Sequence, residues 1–117
     1  MNILICGAGE IGSHAAEVLN APDRHITVVD LDPERLRRIE EEMDVGTCAG
    51  NAAQAEVLTR AGVERADLVL AATDEDEVNL LCAAVAKRLG ASRTIARVHR
   101  GSFFHQRGLD YGGTLAI

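Results

Sequence analysis

Three glycines with the spacing of a phosphate-binding turn stand near the start of the chain, in Gly7-Ala8-Gly9-Glu10-Ile11-Gly12. The apolar run Asn2-Ile3-Leu4-Ile5-Cys6 leads directly into them. A helical stretch follows, then Ile26-Thr27-Val28-Val29 and, eighteen residues after Gly12, Asp30. Each part has a physical job. Gly7 allows the tight turn, Gly9 lets the backbone approach a pyrophosphate, and Gly12 lets a helix pack closely on the strand. That helix points unpaired N–H groups and the positive end of its dipole at the phosphates. Asp30 can accept hydrogen bonds from a ribose 2′-hydroxyl and would repel a 2′-phosphate. A glycine pattern alone says little, because glycines cluster in ordinary loops. With the strand, the helix and the acidic residue all in place, the segment predicts a dinucleotide or adenine-nucleotide site. The competing reading is a doubly wound fold that keeps the glycines for packing alone.

The elements that must position these residues alternate strand and helix throughout, with no repeat and no low-complexity linker. Helix one is expected over 11–19, stopping at Asn20-Ala21-Pro22, and strand two over 26–29. Asp32-Pro33-Glu34 marks a helix start: Asp32 caps, Pro33 fits the first helical position, and Glu34 favours the positive dipole end. Leu36, Ile39 and Met43 then face the sheet at helical spacing, while Glu40-Glu41-Glu42 reads as the solvated face. Val45 to Cys48 reads as strand three, followed by a helix to Ala61 that Gly62 terminates. Residues 67–72 form a continuous apolar strand four of the buried parallel type. Asp74 with Glu77 predicts a capping box for a fourth helix, with Val78, Leu81, Cys82, Val85 and Leu89 as its buried stripe and Gly90 as its stop. Strand five is expected over 94–98, a short helix over 102–107 and strand six over 113–117. The pattern predicts an α/β fold, a three-layer Rossmann-type doubly wound parallel sheet of about six strands in the order 3-2-1-4-5-6.

In such a sheet ligands bind beyond the carboxyl ends of the strands, where the strand order reverses. Gly7, Ala8, Gly9, Glu10 and Ile11 fall there, with Gly12 behind them. So do Asp30 with Leu31, Asn51 with Ala52, Thr73 with Asp74, and Arg97 with Val98. Thr73 is placed to touch a ribose or phosphate, and the same Thr73-Asp74 pair can cap a helix. Asn51 could cap the third helix or hydrogen-bond an adenine amino group. Arg97, charged in an apolar strand, needs a phosphate or a carboxylate across an interface as its partner. Glu10 stands beside the phosphates and disfavours the extra charge of a triphosphate. No nucleophile has a neighbouring base, and no Tyr-x-x-x-Lys pair exists, since Tyr111 is the only tyrosine.

The 117 residues are expected to form one domain, too short for a nucleotide domain plus a substrate domain. Aromatic residues make up only 3% and hydrophobic residues 47%, so the core must be aliphatic. A net charge of −6 and an isoelectric point near 5.1 argue against a nucleic-acid surface or anionic membrane binding. No window has the run of about 18 apolar residues that a membrane span needs. A soluble intracellular protein is expected. Cys6, Cys48 and Cys82 are widely spaced and each sits in an apolar run, as expected of buried reduced thiols. Phe103 and Phe104 are adjacent and cannot both face inward on a short helix, which makes one of them an interface candidate.

Several stretches resemble the RCK domain, also called the KTN or TrkA-N domain. They are Gly7 through Ser13, Val28-Val29-Asp30-Leu31-Asp32-Pro33-Glu34-Arg35, and Ala66-Asp67-Leu68-Val69-Leu70-Ala71-Ala72-Thr73. Asp76-Glu77-Val78-Asn79-Leu80-Leu81 and Ile95-Ala96-Arg97-Val98 continue the likeness, which runs over essentially the whole chain. The resemblance implies a cytoplasmic regulatory domain, on the inner face of the membrane, of a potassium channel or transporter subunit. It implies binding of NAD(H) or, less favoured here, ATP, ADP or AMP, and assembly through dimers into rings. Gly7 to Ile11, Asp30, Thr73, Asp74 and Arg97 would be the nucleotide contacts. Asn51 departs from the pattern, because Gly-Asp-Ala is more usual than Gly50-Asn51-Ala52. The chain ends on apolar Leu115-Ala116-Ile117, so residues 1–117 are expected to be a first lobe cut from a longer protein. Two alternatives remain: the cofactor domain of an NAD-dependent dehydrogenase without its catalytic part, or an interaction domain with a vestigial nucleotide site. The Asp-Glu-Val-Asn segment and the Ala-Arg-Val strand favour the regulatory reading.

Overall fold

A computed structural model describes residues 1–99. Five strands form one parallel sheet in the order 3-2-1-4-5. They are β1 (Asn2–Cys6), β2 (His25–Asp30), β3 (Gly46–Ala49), β4 (Leu68–Ala71) and β5 (Arg93–Ala96). Between them run α1 (Glu10–Leu19), α2 (Pro33–Glu42), α3 (Ala55–Arg60) and α4 (Asp76–Arg88), with a single 3-10 turn at Val63–Arg65 after α3. This is the expected Rossmann-type α/β architecture. The expected short helix over 102–107, the sixth strand and the Phe103-Phe104 pair lie outside the described residues.

β1 is central and buried on both faces, so its side chains feed two separate cores. Ile3 and Ile5 pack with Ile26, Val28, Ala16 of α1, and Leu36 and Ile39 of α2. Leu4 and Cys6 point the other way, into Val57 and Leu58 of α3 and Cys82 and Ala86 of α4. A strand covered on both faces has no polar side to show, and this is why β1 and β4 read as unbroken apolar runs. The start of α2 follows its sequence signals: Asp32 Oδ1 accepts from the Glu34 N–H at 2.9 Å, with Pro33 next to it. Gly62 and Gly90 follow α3 and α4 with positive φ.

Two expectations about α4 need correction. The helix begins at Asp76 with Glu75 rather than Asp74 at its N-cap position, and the Glu75 side chain makes no capping hydrogen bond. The Thr73 hydroxyl instead accepts the Glu75 N–H at 3.2 Å, folding a turn ahead of the helix and delaying its start. The buried stripe also differs. Leu81 is 49% exposed, while Asp76, Asn79, Leu80, Ala83 and Ala86 join Cys82 on the inner face. Small alanines let the helix lie close to the sheet, and the two polar residues face inward because they carry hydrogen bonds there. β3 likewise starts at Gly46, and β5 stops at Ala96, short of the expected Val98.

Cys6 and Cys82 are fully buried and Cys48 partly so. The Cys82 thiol hydrogen-bonds Cys6 and burial disfavours the anion, so the Cys6 thiol is pushed well above its ordinary value. A value raised in the folded state contributes stability that is complete below the unfolded thiol's value, about 8.5, and is lost as pH rises towards the folded one. Stability is therefore expected to decline above that pH and to be insensitive to this group below it. Alkylation at pH 8 followed by mass mapping should label Cys48 ahead of Cys6 and Cys82 in the folded protein, and all three equally in denaturant. Fast labelling of Cys6 in the folded state would contradict this packing.

Candidate functional site

The carboxyl ends of β1, β2, β3 and β4 open into one cleft of about 340 Å³. Its floor is the turn between β1 and α1. Gly7 has φ +113°, and a Cβ there would stand 2.7 Å from the Ala72 carbonyl oxygen, so this turn admits only glycine. Gly9 precedes α1, whose N-terminus has no side-chain cap. The first amides of α1 are therefore not occupied by a side chain, as an anion-binding helix end requires.

Asp30 ends β2 and ties the loop to the sheet. Its Oδ2 accepts from the Ala8 N–H and its Oδ1 from the Asp32 N–H, both at 2.7 Å. A carboxylate oxygen has two lone pairs, so each oxygen keeps one for a neighbouring hydroxyl. Leu31, 70% exposed, and Asp32 form the adjoining wall.

Asn51 and Ala52 line the opposite side with Gly50. Of the roles weighed for Asn51, helix capping is corrected. Its Oδ1 accepts from the Ala53 N–H at 2.9 Å, closing a local turn, while α3 starts later, at Ala55. Thr73 and Asp74 complete the wall, but the Thr73 hydroxyl is largely committed within the protein. It lies 2.6 Å from Asn79 Oδ1 and also accepts the Glu75 N–H.

The remaining candidates are placed differently. Ala8 and Glu10 line a neighbouring hollow with Ser13, Arg35 and Arg38. Gly12 is buried beneath the loop, and Ile11 is 48% exposed and lines neither hollow. Arg97 does not line the cleft; its Nη1 donates to the Thr73 carbonyl at 3.3 Å.

Arg35 was not anticipated. It lies in the first turn of α2 and lines both hollows, and its Nη1 stands 3.5 Å from where a Cβ on Gly9 would be. The signal was present, because the Asp32 cap and Pro33 fix where α2 begins. Among the described residues no group of three or more acidic, histidine or cysteine side chains could hold a metal ion. None of the helices there is long and apolar enough to cross a membrane.

A glycine turn at the end of the central strand, a carboxylate at the end of the next and a cleft between them define a Rossmann-type domain with a nucleotide-binding geometry. Within that class the chain belongs to the TrkA-N domain family, whose profile matches residues 3–109. It is 47% identical over 103 residues to a Trk system potassium uptake protein TrkA homolog from Archaeoglobus fulgidus, covering 88% of this chain and 23% of that one. It is 42% identical over 110 residues to the Trk system potassium uptake protein TrkA of Halomonas elongata, covering 93% of this chain and 24% of that one. The chain thus spans about a quarter of the length of these curated relatives. In structure it resembles the Kef CTD of Shewanella denitrificans in its AMP-bound form, with a TM-score of 0.69 at 24% identity over 81% of this chain and 57% of that one. That likeness is one of fold.

Proposed function

We propose that the chain is the first lobe of a regulatory protein of potassium uptake, binding NAD(H) in the cleft and acting on a membrane-embedded channel or transporter subunit. One observation carries this reading: Asp30, oriented by two backbone amides beside the glycine turn, keeps one acceptor site on each oxygen for the two hydroxyls of an adenosine ribose. The names of the relatives support the potassium system, and the AMP-bound neighbour supports an adenine nucleotide. On this reading the protein sits in the cytoplasm at the inner face of the membrane, works as a dimer or ring, and turns over no substrate itself. NADPH is disfavoured by the charge of Asp30. ATP is disfavoured by Glu10, which Arg35 offsets in part.

Calorimetric titration with NADH, NADPH, AMP and ATP at low salt tests this. NADH should bind more tightly than NADPH or ATP. Glu10→Gln should improve ATP by about 1 kcal/mol, a solvent-screened effect, and leave NADH unchanged. Equal affinity for NADH and NADPH would sink the reading of Asp30. Reproducible reduction of a carbonyl substrate by the isolated chain, abolished by one point substitution, would favour a dehydrogenase instead.

A further inference from the structure

Asn79 makes four side-chain hydrogen bonds beside the cleft, yet it does not line it. It is fully buried in the first turn of α4. Its Oδ1 accepts from the Thr73 N–H at 2.8 Å and from the Thr73 hydroxyl at 2.6 Å. Its Nδ2 donates to the Thr73 carbonyl at 3.0 Å and to the Arg97 carbonyl at 2.9 Å. A carboxamide has two donors and two acceptor lone pairs, so all four are used. No other side chain of similar size reproduces that set.

The two ends of this network differ in kind. Thr73 belongs to the cleft wall. Arg97 opens the segment that leaves β5, and that segment is bonded again a little further on. The Arg97 N–H donates to the Ala71 carbonyl at 2.8 Å, and its Nη1 reaches the Thr73 carbonyl. The His99 N–H donates to Asp76 Oδ1 at 3.3 Å, and His99 Nδ1 lies 2.8 Å from the same oxygen. Asp76, like Asn79, is fully buried in the first turn of α4. A buried carboxamide with every site filled has no spare partner, so a shift of Thr73 must strain the network or move Arg97 with it.

We propose that Asn79 is a positioning residue that joins Thr73 in the cleft to residues 97–99, so that nucleotide in the cleft tightens the chain where it leaves β5. The proposal deepens the nucleotide-binding reading and rests on it. On that reading this network gives a route from the cleft wall to the chain where it leaves β5.

Amide hydrogen exchange with and without saturating NADH tests the proposal on the unaltered protein. The Arg97 and His99 amides should gain several-fold protection along with the Ala8 amide of the glycine turn, while Ile39, in the core of α2, stays unchanged. In Asn79→Asp, which places an acceptor against two carbonyls, protection at Ala8 should persist and that at Arg97 and His99 should be lost. A purely structural role would alter all amides alike. Should NADH protect Ala8 in the parent but leave Arg97 and His99 untouched, the proposal is overturned while the nucleotide site stands. Absence of any NADH binding overturns both. If Asn79→Asp fails to fold, the parent measurement decides alone.

Discussion

Gly12→Ala should cost the domain about 3 kcal/mol or more, beyond the usual range for an overpacked site. A Cβ at Gly12 would stand 1.7 Å from the Gly7 carbonyl oxygen and 2.7 Å from its carbon. Both neighbours are backbone, and Gly7 has nowhere to go. Its N–H is bonded to the Val29 carbonyl at 2.7 Å, and its own α-carbon faces the Ala72 carbonyl across the turn. Relief therefore requires moving α1 off the sheet and opening the Ala16 contact with Ile3 and Ile5. For a domain of this size each kcal/mol lowers the melting temperature by about 4–8 °C. Thermal unfolding by circular dichroism should thus show a drop of about 12 °C or more, against a total stability of about 5–15 kcal/mol. Gly9→Ala is the control, since its Cβ would meet only the flexible end of Arg35 at 3.5 Å. A Gly12→Ala protein melting as the parent does would disprove this packing of the glycine turn.

Asp30→Ala should weaken NADH binding by about 1–3 kcal/mol, the usual cost of a hydrogen bond to a charged group. The structure adds a second effect to that loss. The carboxylate also receives the Ala8 and Asp32 amides, so its removal loosens the glycine turn and the entry to α2 together. Asp30→Asn separates the two. Its carbonyl can keep one amide while its NH₂ opposes the other, so part of the anchoring survives without the charge. The ratio of NADPH to NADH affinity should then rise toward one in both variants. An unchanged ratio would mean that Asp30 does not face the ribose 2′ position.

What was legible in the sequence was what is decided locally. The spacing within the glycine turn and the Asp32-Pro33 helix start each depend on residues within a few positions of one another. Asp30 was legible as the acidic end of an apolar strand, although its partner Ala8 lies 22 residues away. The central strands were legible because burial on both faces leaves no alternation to misread. The orientation of α4 was not, because it is set by partners far away in the chain. Hydrophobicity alone places Leu81 inside, whereas hydrogen bonding to Thr73 and Arg97 turns Asn79 inward instead. The Asp74–Glu77 box failed for a related reason: Thr73 captured the turn first. Arg35 and Arg97 show the same limit, since a long side chain's target depends on which helix or strand end lies opposite it.

The strand order also governs how the chain assembles as it is made. Within this domain β1 is made before both of its partners, and it pairs with β2 on one side and β4 on the other. Asn2 is closed by Asp67, whose carboxylate accepts its N–H at 2.7 Å across 65 residues of sequence. Until that stretch has been synthesised, one side of β1 presents a row of unpaired backbone groups between two greasy faces. Such an edge is an open template for strands of other nascent chains. Long-range parallel pairing is also slow to form, because the loop entropy is lost before the contacts are gained. Translation that pauses before β4 therefore prolongs the exposure of this edge of β1, and the arrival of β4 ends it.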